Sequence, residues 1–410
     1  MAIHLSHRAK AINPSPTLTV SALAKQMQEK GINVINFGVG EPDFNTPQKI
    51  KDCAHQAIKD NFTRYTNTSG ISSLREAISA KLKRDNDLDC SVKDILVSPG
   101  AKASIMFILM AICDPRDEVL IPTPYWVSYN SQVEMVDAHP IFIPTTVDSD
   151  FKISVEQLEE SIETLSSPRA LILNTPNNPT GSVYTQKELE EIAQICLKHN
   201  LIIIADEIYE KLVYEGEKHY SIANISKEVR EHTVLINGVS KAYAMTGWRL
   251  GYAAGPVDII KSAARIQSHT TSCVNSITQK AAICALDECE DDVQKMRFEF
   301  QKRRDILIDG FKEIPHIKYN VPKGAFYAMP DISYYLQNAN FYTKSSYFKK
   351  TKTKSVRLCE YLIKEHKVAV VPGSAFGVDN YVRFSYANSI DNIKEGLKNF
   401  KRGLAESLKR

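Results

Sequence analysis

The run Leu201–Ala205 (LIIIA) has no polar position, and the residue that follows it is Asp206. A half-exposed strand alternates apolar and polar side chains, so an unbroken apolar run needs cover on both faces. Five further short apolar runs recur, at Ile95–Ser98, Glu118–Pro122, Ile141–Pro144, Ala170–Asn174 and Val234–Val239. Helical periodicity fills several of the gaps between them. Thr185–His199 opens on a capping box, Thr185-x-x-Glu188, and sets Leu189, Ile192, Ala193 and Cys196 on one face. Ser154-x-x-Gln157 opens another helix in the same way. Strands alternating with helices predict an α/β fold: a large domain with a mostly parallel sheet covered by helices.

The last hundred or so residues read differently. Helical pattern spans Val293–Phe311 and Asn392–Leu408, with short strand signals between them at Ile317–Asn320, Ala325–Met329 and Val368–Val371. This predicts a smaller α+β domain, joined by a long helix within 285–312. The segment Tyr334–Ser355 mixes six aromatics with five lysines. It reads either as a surface loop or as a lid or specificity element.

Composition sets outer bounds. A chain of 410 residues with 43% hydrophobic and 24% charged residues can fill two or three cores. A net charge of +3 gives no reason to expect nucleic-acid binding. The longest apolar run, Ile105–Cys113, is half of a membrane span and reads as a buried helix. The start MAIHLSHRAKAI lacks the apolar core of a signal peptide. Eight cysteines are scattered without CxxC pairs or zinc spacing, so no metal centre and a reduced, cytoplasmic setting are expected.

In an open α/β sheet, ligands bind beyond the carboxyl ends of the strands. Past Ile95–Ser98 comes Pro99-Gly100-Ala101-Lys102, either a plain glycine turn or an anion site at a helix start. Trp126 follows the second run, as a core tryptophan or a stacking face. Asn178 lies in the rigid turn Thr175–Gly181. Asp206 and Tyr209 follow the LIIIA run; Asp206 is a helix cap, half of an ion pair, or the partner of a protonated ring nitrogen. Ser240 and Lys241 follow Val234–Val239, with Arg249 eight residues beyond the lysine. A lysine there is placed to form an imine. Arg383, inside the apolar stretch Val382–Tyr386, needs an anion, from a substrate carboxylate or a buried ion pair. Packing alone requires no such gathering at one edge. Together the groups meet the needs of pyridoxal 5′-phosphate: an imine lysine, a pyridinium partner, a phosphate cradle and a stacking face.

The motifs Gly38–Phe44 (GVGEPDF), Asn177–Gly181 (NNPTG), Asp206–Tyr209 (DEIY), Ser240-Lys241 with Gly247-Trp248-Arg249, and Arg383 resemble a fold-type I, class I aminotransferase of the aspartate aminotransferase family. The resemblance runs from about residue 5 to the C-terminus. It implies a large cofactor-binding domain over 46–290 and a small domain built from 1–45 with 291–410. It implies that Lys241 is the imine lysine and proton shuttle, that Asp206 pairs with the pyridine nitrogen, and that Asn178 and Tyr209 face the ring hydroxyl. It implies that Trp126 stacks on the ring, while Gly100, Ala101, Lys102, Ser240 and Arg249 surround the phosphate. Arg383 is then expected to hold the substrate α-carboxylate, with Gly40 nearby. Tyr65 is expected to reach the neighbouring subunit's phosphate, which makes a homodimer with shared sites.

The implied reaction is ping-pong amino transfer between an L-amino acid, with aspartate first, and 2-oxoglutarate. Asn13 and Met110 stand where bacterial relatives that prefer dicarboxylic acids, some also accepting prephenate, carry lysines, and an apolar Met110 suits an aromatic or aliphatic side chain, with Phe326 and Tyr334–Ser355 as candidate contributors; an aromatic amino acid or prephenate aminotransferase is the alternative. A carbon–sulfur lyase on the same fold would share every cofactor residue. A regulator with an added DNA-binding domain is not expected, since the first motif begins at Gly38.

Overall fold

The computed structural model describes residues 5–6, 9–10, 12, 16–339 and 353–409, with the side chains of 16–19 and 21 left out. Its strands are β1 (Ile35–Asn36), β2 (Ile95–Ser98), β3 (Glu118–Thr123), β4 (His139–Pro144), β5 (Pro168–Asn174), β6 (Ile202–Asp206), β7 (Thr233–Gly238), β8 (Gly251–Ala254), β9 (Tyr327–Ala328), β10 (Val368–Ala369), β11 (Val371–Pro372) and β12 (Val382–Ser385).

Seven of them form one sheet in the order β2-β8-β7-β6-β5-β3-β4. Neighbours pair in parallel except at β8, which is antiparallel to both β2 and β7. The carboxyl ends of β2, β3, β5, β6 and β7 therefore meet along one edge. The LIIIA run behaves as its composition requires. Ile204 joins a core with Ile105, Ile121 and Ile236, while Ile203 and Ala205 join another with Leu173, Leu189 and Ile192. Full burial of each isoleucine contributes about 1.5–3 kcal/mol. Both expected capping boxes are present, at Ser154/Gln157 and Thr185/Glu188. The apolar run before Cys113 forms the helix Ala101–Ile112.

A second core gathers Phe37, Phe300, Phe311, Phe326, Phe384 and Phe400. It lies around the antiparallel sheet β11-β12-β9, the parallel pair β1/β10 and the 23-residue helix Glu290–Lys312. Tyr209 and Leu212 belong to this core too, so the turn after β6 packs against it.

Three strand expectations change. Ile317–Asn320 forms no strand; Lys318 makes one isolated bridge to Asp331. Ala325–Met329 shrinks to β9, because Ala325 takes a positive φ of 56° that extended pairing does not accommodate. Val368–Val371 divides at the fully buried Val370 into β10, paired with β1, and β11, paired with β12. β8 was not anticipated: Gly-Tyr-Ala-Ala is short and carries little β propensity. Of Tyr334–Ser355, residues 340–352 fall outside the described ones, and the start forms the helix Ser333–Asn338. Among the described residues no helix is long and apolar enough to cross a membrane.

Candidate active site

The edge where the strands end opens into a cavity of about 520 Å³. Gly40, Ala101, Lys102, Trp126, Asn178, Asp206, Tyr209, Lys241, Arg249 and Arg383 all line it. Three expected residues do not. Ser240 is buried behind Lys241, and its carbonyl accepts from Met245 N–H at 3.2 Å. Gly100 lies under Arg249. Tyr65 is 92% exposed, away from its own chain's cavity.

The cradle beyond β2 follows from glycine geometry. Gly100 has φ +89°, and a Cβ there would lie 2.4 Å from Arg249 Nη2, so only glycine lets the guanidinium rest on the turn. No side chain caps the helix Ala101–Ile112. Its first N–H groups and the positive end of its dipole face the cavity, with Arg249 beside them. Among the described residues Arg249 bonds only carbonyls, Thr246 O at 3.0 Å and Pro99 O at 3.3 Å. This corner can hold a dianion such as phosphate.

Lys241 follows β7, and its Nζ donates to Gly40 O at 2.6 Å. Burial brings its pKa down to about 8; Arg383 and Arg249 push the same way, against Glu41 and Asp206. The amine is therefore partly free near neutral pH. Asp206 ends β6 and is 3% exposed. Tyr129 Oη donates to its Oδ2 at 2.6 Å and Ile208 N–H to its Oδ1 at 3.3 Å. Burial raises its pKa to about 6, although both hydrogen bonds oppose the rise. No cationic side chain among the described residues bonds to it. A buried carboxylate of this kind suits a cationic ligand nitrogen.

Arg383, on β12, is 2% exposed. Its Nη1 donates to Asn178 Oδ1 at 3.0 Å and its Nη2 to Gly38 O at 2.9 Å, and its Nε has no partner among the described residues. The guanidinium lies 4.5 Å from the Tyr327 ring and 5.0 Å from that of Phe376. Burial lowers its pKa. A guanidinium flanked by rings and bonded to neutral oxygens can take an anion in its fork. Lys102 Nζ lies 5.0 Å over the Trp126 ring, and burial lowers its pKa.

Sequence reasoning missed Tyr129, Asn174 and Tyr327. Tyr327 Oη lies 2.8 Å from Tyr209 Oη. Asn174 accepts from Asn178 N–H at 2.8 Å and donates to Asp206 O at 2.8 Å. Asn174 was legible as the last residue of its run; the two tyrosines sit in stretches where an aromatic also reads as core. Met110, 41% exposed on its helix, does not line the cavity, and Asn13 falls outside the described residues. Phe326 is fully buried behind Tyr209, with ring centroids 5.4 Å apart.

The family described as aminotransferase class I and II matches residues 32–400. The chain belongs to the class I and II aminotransferases. It is similar to the aspartate aminotransferase of Bacillus sp. (strain YM-2), with 43% identity over 97% of this chain and 98% of the relative. It is also similar to the aspartate/prephenate aminotransferase of Nitrosomonas europaea, with 42% identity over 96% of this chain and 98% of the relative. Among solved structures, the Thermus thermophilus aspartate aminotransferase with maleate superposes with a TM-score of 0.90 at 36% identity, covering 98% of this chain and 100% of that one.

The aminotransferase is a pyridoxal 5′-phosphate-dependent enzyme. Its cavity fits that group: a buried carboxylate with no cation among the described residues, an arginine bonded to carbonyls at an uncapped helix start, and an amine of lowered pKa line the same space.

Proposed function

We propose that this aminotransferase moves the amino group of L-aspartate to 2-oxoglutarate by a ping-pong mechanism. The observation that carries the reading is Arg383, a buried guanidinium with no acidic partner among the described residues, beside the amine of Lys241 in one cavity. A substrate α-carboxylate completes its fork. When bound, pyridoxal 5′-phosphate supplies an electron sink for the pair released at the donor's Cα.

The residues do the rest. Arg249 and the N–H groups of Ala101 and Lys102, on the turn at Gly100 and backed by Ser240, hold the phosphate. Asp206, kept ionised by Tyr129, holds the proton on the ring nitrogen. Asn178 and Tyr209 bond the ring hydroxyl, and Trp126 covers the ring face. Lys241 Nζ would take the proton from the donor's Cα as base and give it back as acid, while the cofactor would supply the electron sink. Burial lowers the pKa of the amine, which suits a group that acts first as base. Gly40 O, now bonded to Nζ, steadies the amine near the substrate.

The same reading includes a cytoplasmic homodimer. Tyr65 is exposed, and an open cleft of about 790 Å³ beside the cavity is lined by Arg249, Trp248, Phe44 and Cys273. A neighbour's Tyr65 entering it would meet the phosphate corner. All eight cysteines are free thiols, in keeping with a reduced compartment. The division into 46–290 and 1–45 with 291–410 is supported by the pairing of β1 with β10.

A second reading extends the acceptor to prephenate. It is supported by the name of the Nitrosomonas relative. A panel of amino donors and 2-oxo acids, each assayed for kcat/KM, separates the two. Aspartate with 2-oxoglutarate leading supports the first; continuous release of pyruvate and ammonia without any 2-oxo acid would turn the assignment toward a carbon–sulfur lyase.

A further inference from the structure

Asp206-Glu207-Ile208-Tyr209-Glu210 runs along one turn, but its charged residues point two ways. Asp206 and Tyr209 line the cavity, and Glu207 and Glu210 do not. Both glutamates are nevertheless buried, at 0% and 9% exposure. Two carboxyl groups out of water need strong partners. Glu207 accepts from Ser221 Oγ at 2.9 Å and lies 3.0 Å from His219 Nε2, while its N–H donates to Ile236 O on β7 at 2.9 Å. Glu210 accepts from Lys81 Nζ and from Asn86 Nδ2 at 2.8 Å, and its N–H donates to Glu207 O at 2.9 Å. Lys81 also donates to Asn86 Oδ1 at 2.8 Å.

Lys81 is 2% exposed, on the helix Ser72–Asn86. Leu74, Ala77, Ile78 and Leu82 already give that helix its apolar face. A buried lysine there is costly and does nothing for packing that leucine or methionine would not. Its charge lies 3.9 Å from Asp85, which Lys211 also holds at 2.9 Å, and it bears on Glu210: burial alone would push the Glu210 carboxyl up, yet with Lys81 beside it the group sits below its ordinary value. Glu207, Glu210 and His219 bring possible ligand atoms within 4.8 Å of one another, but Lys81 already supplies the positive charge.

We propose that Lys81, outside the cavity, is a positioning residue for amino transfer: through Glu210, with Ser221 and His219 acting likewise through Glu207, it fixes the turn that aims Asp206 and Tyr209 at the cofactor. The proposal rests on the roles assigned above to Asp206 and Tyr209. The network grips both outward side chains of a five-residue turn whose inward side chains do the chemistry. A turn displaced by an ångström would misalign both contacts at once.

The test uses the purified, full-length enzyme loaded with pyridoxal 5′-phosphate. Lys81→Met and the double variant Lys81→Met/Glu210→Met are compared by melting temperature, by kcat and KM, and by the pH midpoint of the bound cofactor's absorbance. Lys81→Met strands the Glu210 charge, and its melting temperature falls. The double variant removes both charges and regains it. The proposal expects kcat of the double variant to stay down about tenfold or more with KM little changed, and the absorbance midpoint to stay shifted by about half a pH unit. Wild-type kcat and midpoint in the double variant would overturn it. Should neither variant fold, Ser221→Ala decides, since it removes a single hydroxyl from Glu207. A shifted midpoint and lowered kcat support the proposal, and unchanged values overturn it. Asp206→Asn runs alongside. If its midpoint does not move, the role of Asp206 fails; if it moves while the network variants match wild type, only the role of the network fails.

Discussion

Arg383 and Asn178, 205 residues apart in the chain, are joined by a 3.0 Å hydrogen bond from Nη1 to Oδ1. The chain of contacts continues from Asn178 N–H to Asn174 Oδ1 and from Asn174 Nδ2 to Asp206 O, each at 2.8 Å. The proposed donor-binding group is thus tied to the strand end that bears the proposed ring partner. Arg383→Lys keeps a positive charge but loses the fork and strands Asn178 Oδ1. We expect kcat/KM to fall by about 2–4 kcal/mol in transition-state terms, for every amino donor alike. A loss confined to one donor would instead make Arg383 a side-chain reader.

Lys241→Ala should abolish turnover and the absorbance band of lysine-bound cofactor. A pH experiment tests the amine itself. The folded pKa of about 8 lies below the ordinary 10.5, so the amine is protonated below about pH 8 and free above it. The rate at which the apoprotein takes up pyridoxal 5′-phosphate should rise through pH 8 and level off, whereas an unperturbed lysine would still be gaining at pH 10. Between the two values the folded chain binds fewer protons than the unfolded one, so apoprotein stability should also rise across that window.

Asp206 works in the opposite sense. Its folded pKa is about 6 against an ordinary 3.8, so between those values the folded apoprotein binds more protons and loses stability as pH rises. The deficit persists at pH 7 and amounts to about 3 kcal/mol. Asp206→Asn should therefore raise the apoprotein melting temperature at pH 7, with the gain fading below pH 4. The same variant should lower kcat by at least about a hundredfold. A melting temperature unchanged at pH 7 would mean that the carboxylate has found a cation of its own.

Tyr65 offers a test of shared sites. Lys241→Ala and Tyr65→Ala are each expected to be impaired alone. Refolded together, half of the dimers would be mixed, each with one site intact in both residues, and activity should recover to about a quarter of wild type. A mixture no better than its parents would refute the exchange of Tyr65 between subunits.

Much of this was legible because charge in an apolar context is informative. Asp206 at the end of LIIIA and Arg383 within Val382–Tyr386 each announced a group in need of a partner. The parallel sheet was legible for the same reason that β6 is covered on both faces. Tyr129 and Tyr327 were not, because a buried aromatic needs no special explanation until its hydroxyl is seen bonding Asp206 or Tyr209. Nor was β8, whose glycine answers to another part of the chain: a Cβ on Gly251 would lie 2.2 Å from Ala101 N. Contacts of that range leave no periodic trace. The expected strand at Ile317–Asn320 failed because the alternating stretch Ile-Lys-Tyr-Asn found no partner strand beyond the single bridge from Lys318 to Asp331.

Lys241 and Arg249 ride on the connection between β7 and β8, whose ends are pinned by the pairing of Gly238 with Gly251, whereas Arg383 sits on β12 in another sheet. On the proposed roles, the equipment for the coenzyme and the grip on the donor's carboxylate are carried on separate pieces of backbone. Substitutions that shift β12 would loosen the hold on every amino acid alike, so the choice among side chains belongs to other parts of the cavity wall. An engineer seeking a new donor would leave both the β7–β8 hairpin and the Arg383–Asn178 pair alone and diversify the rest of the wall.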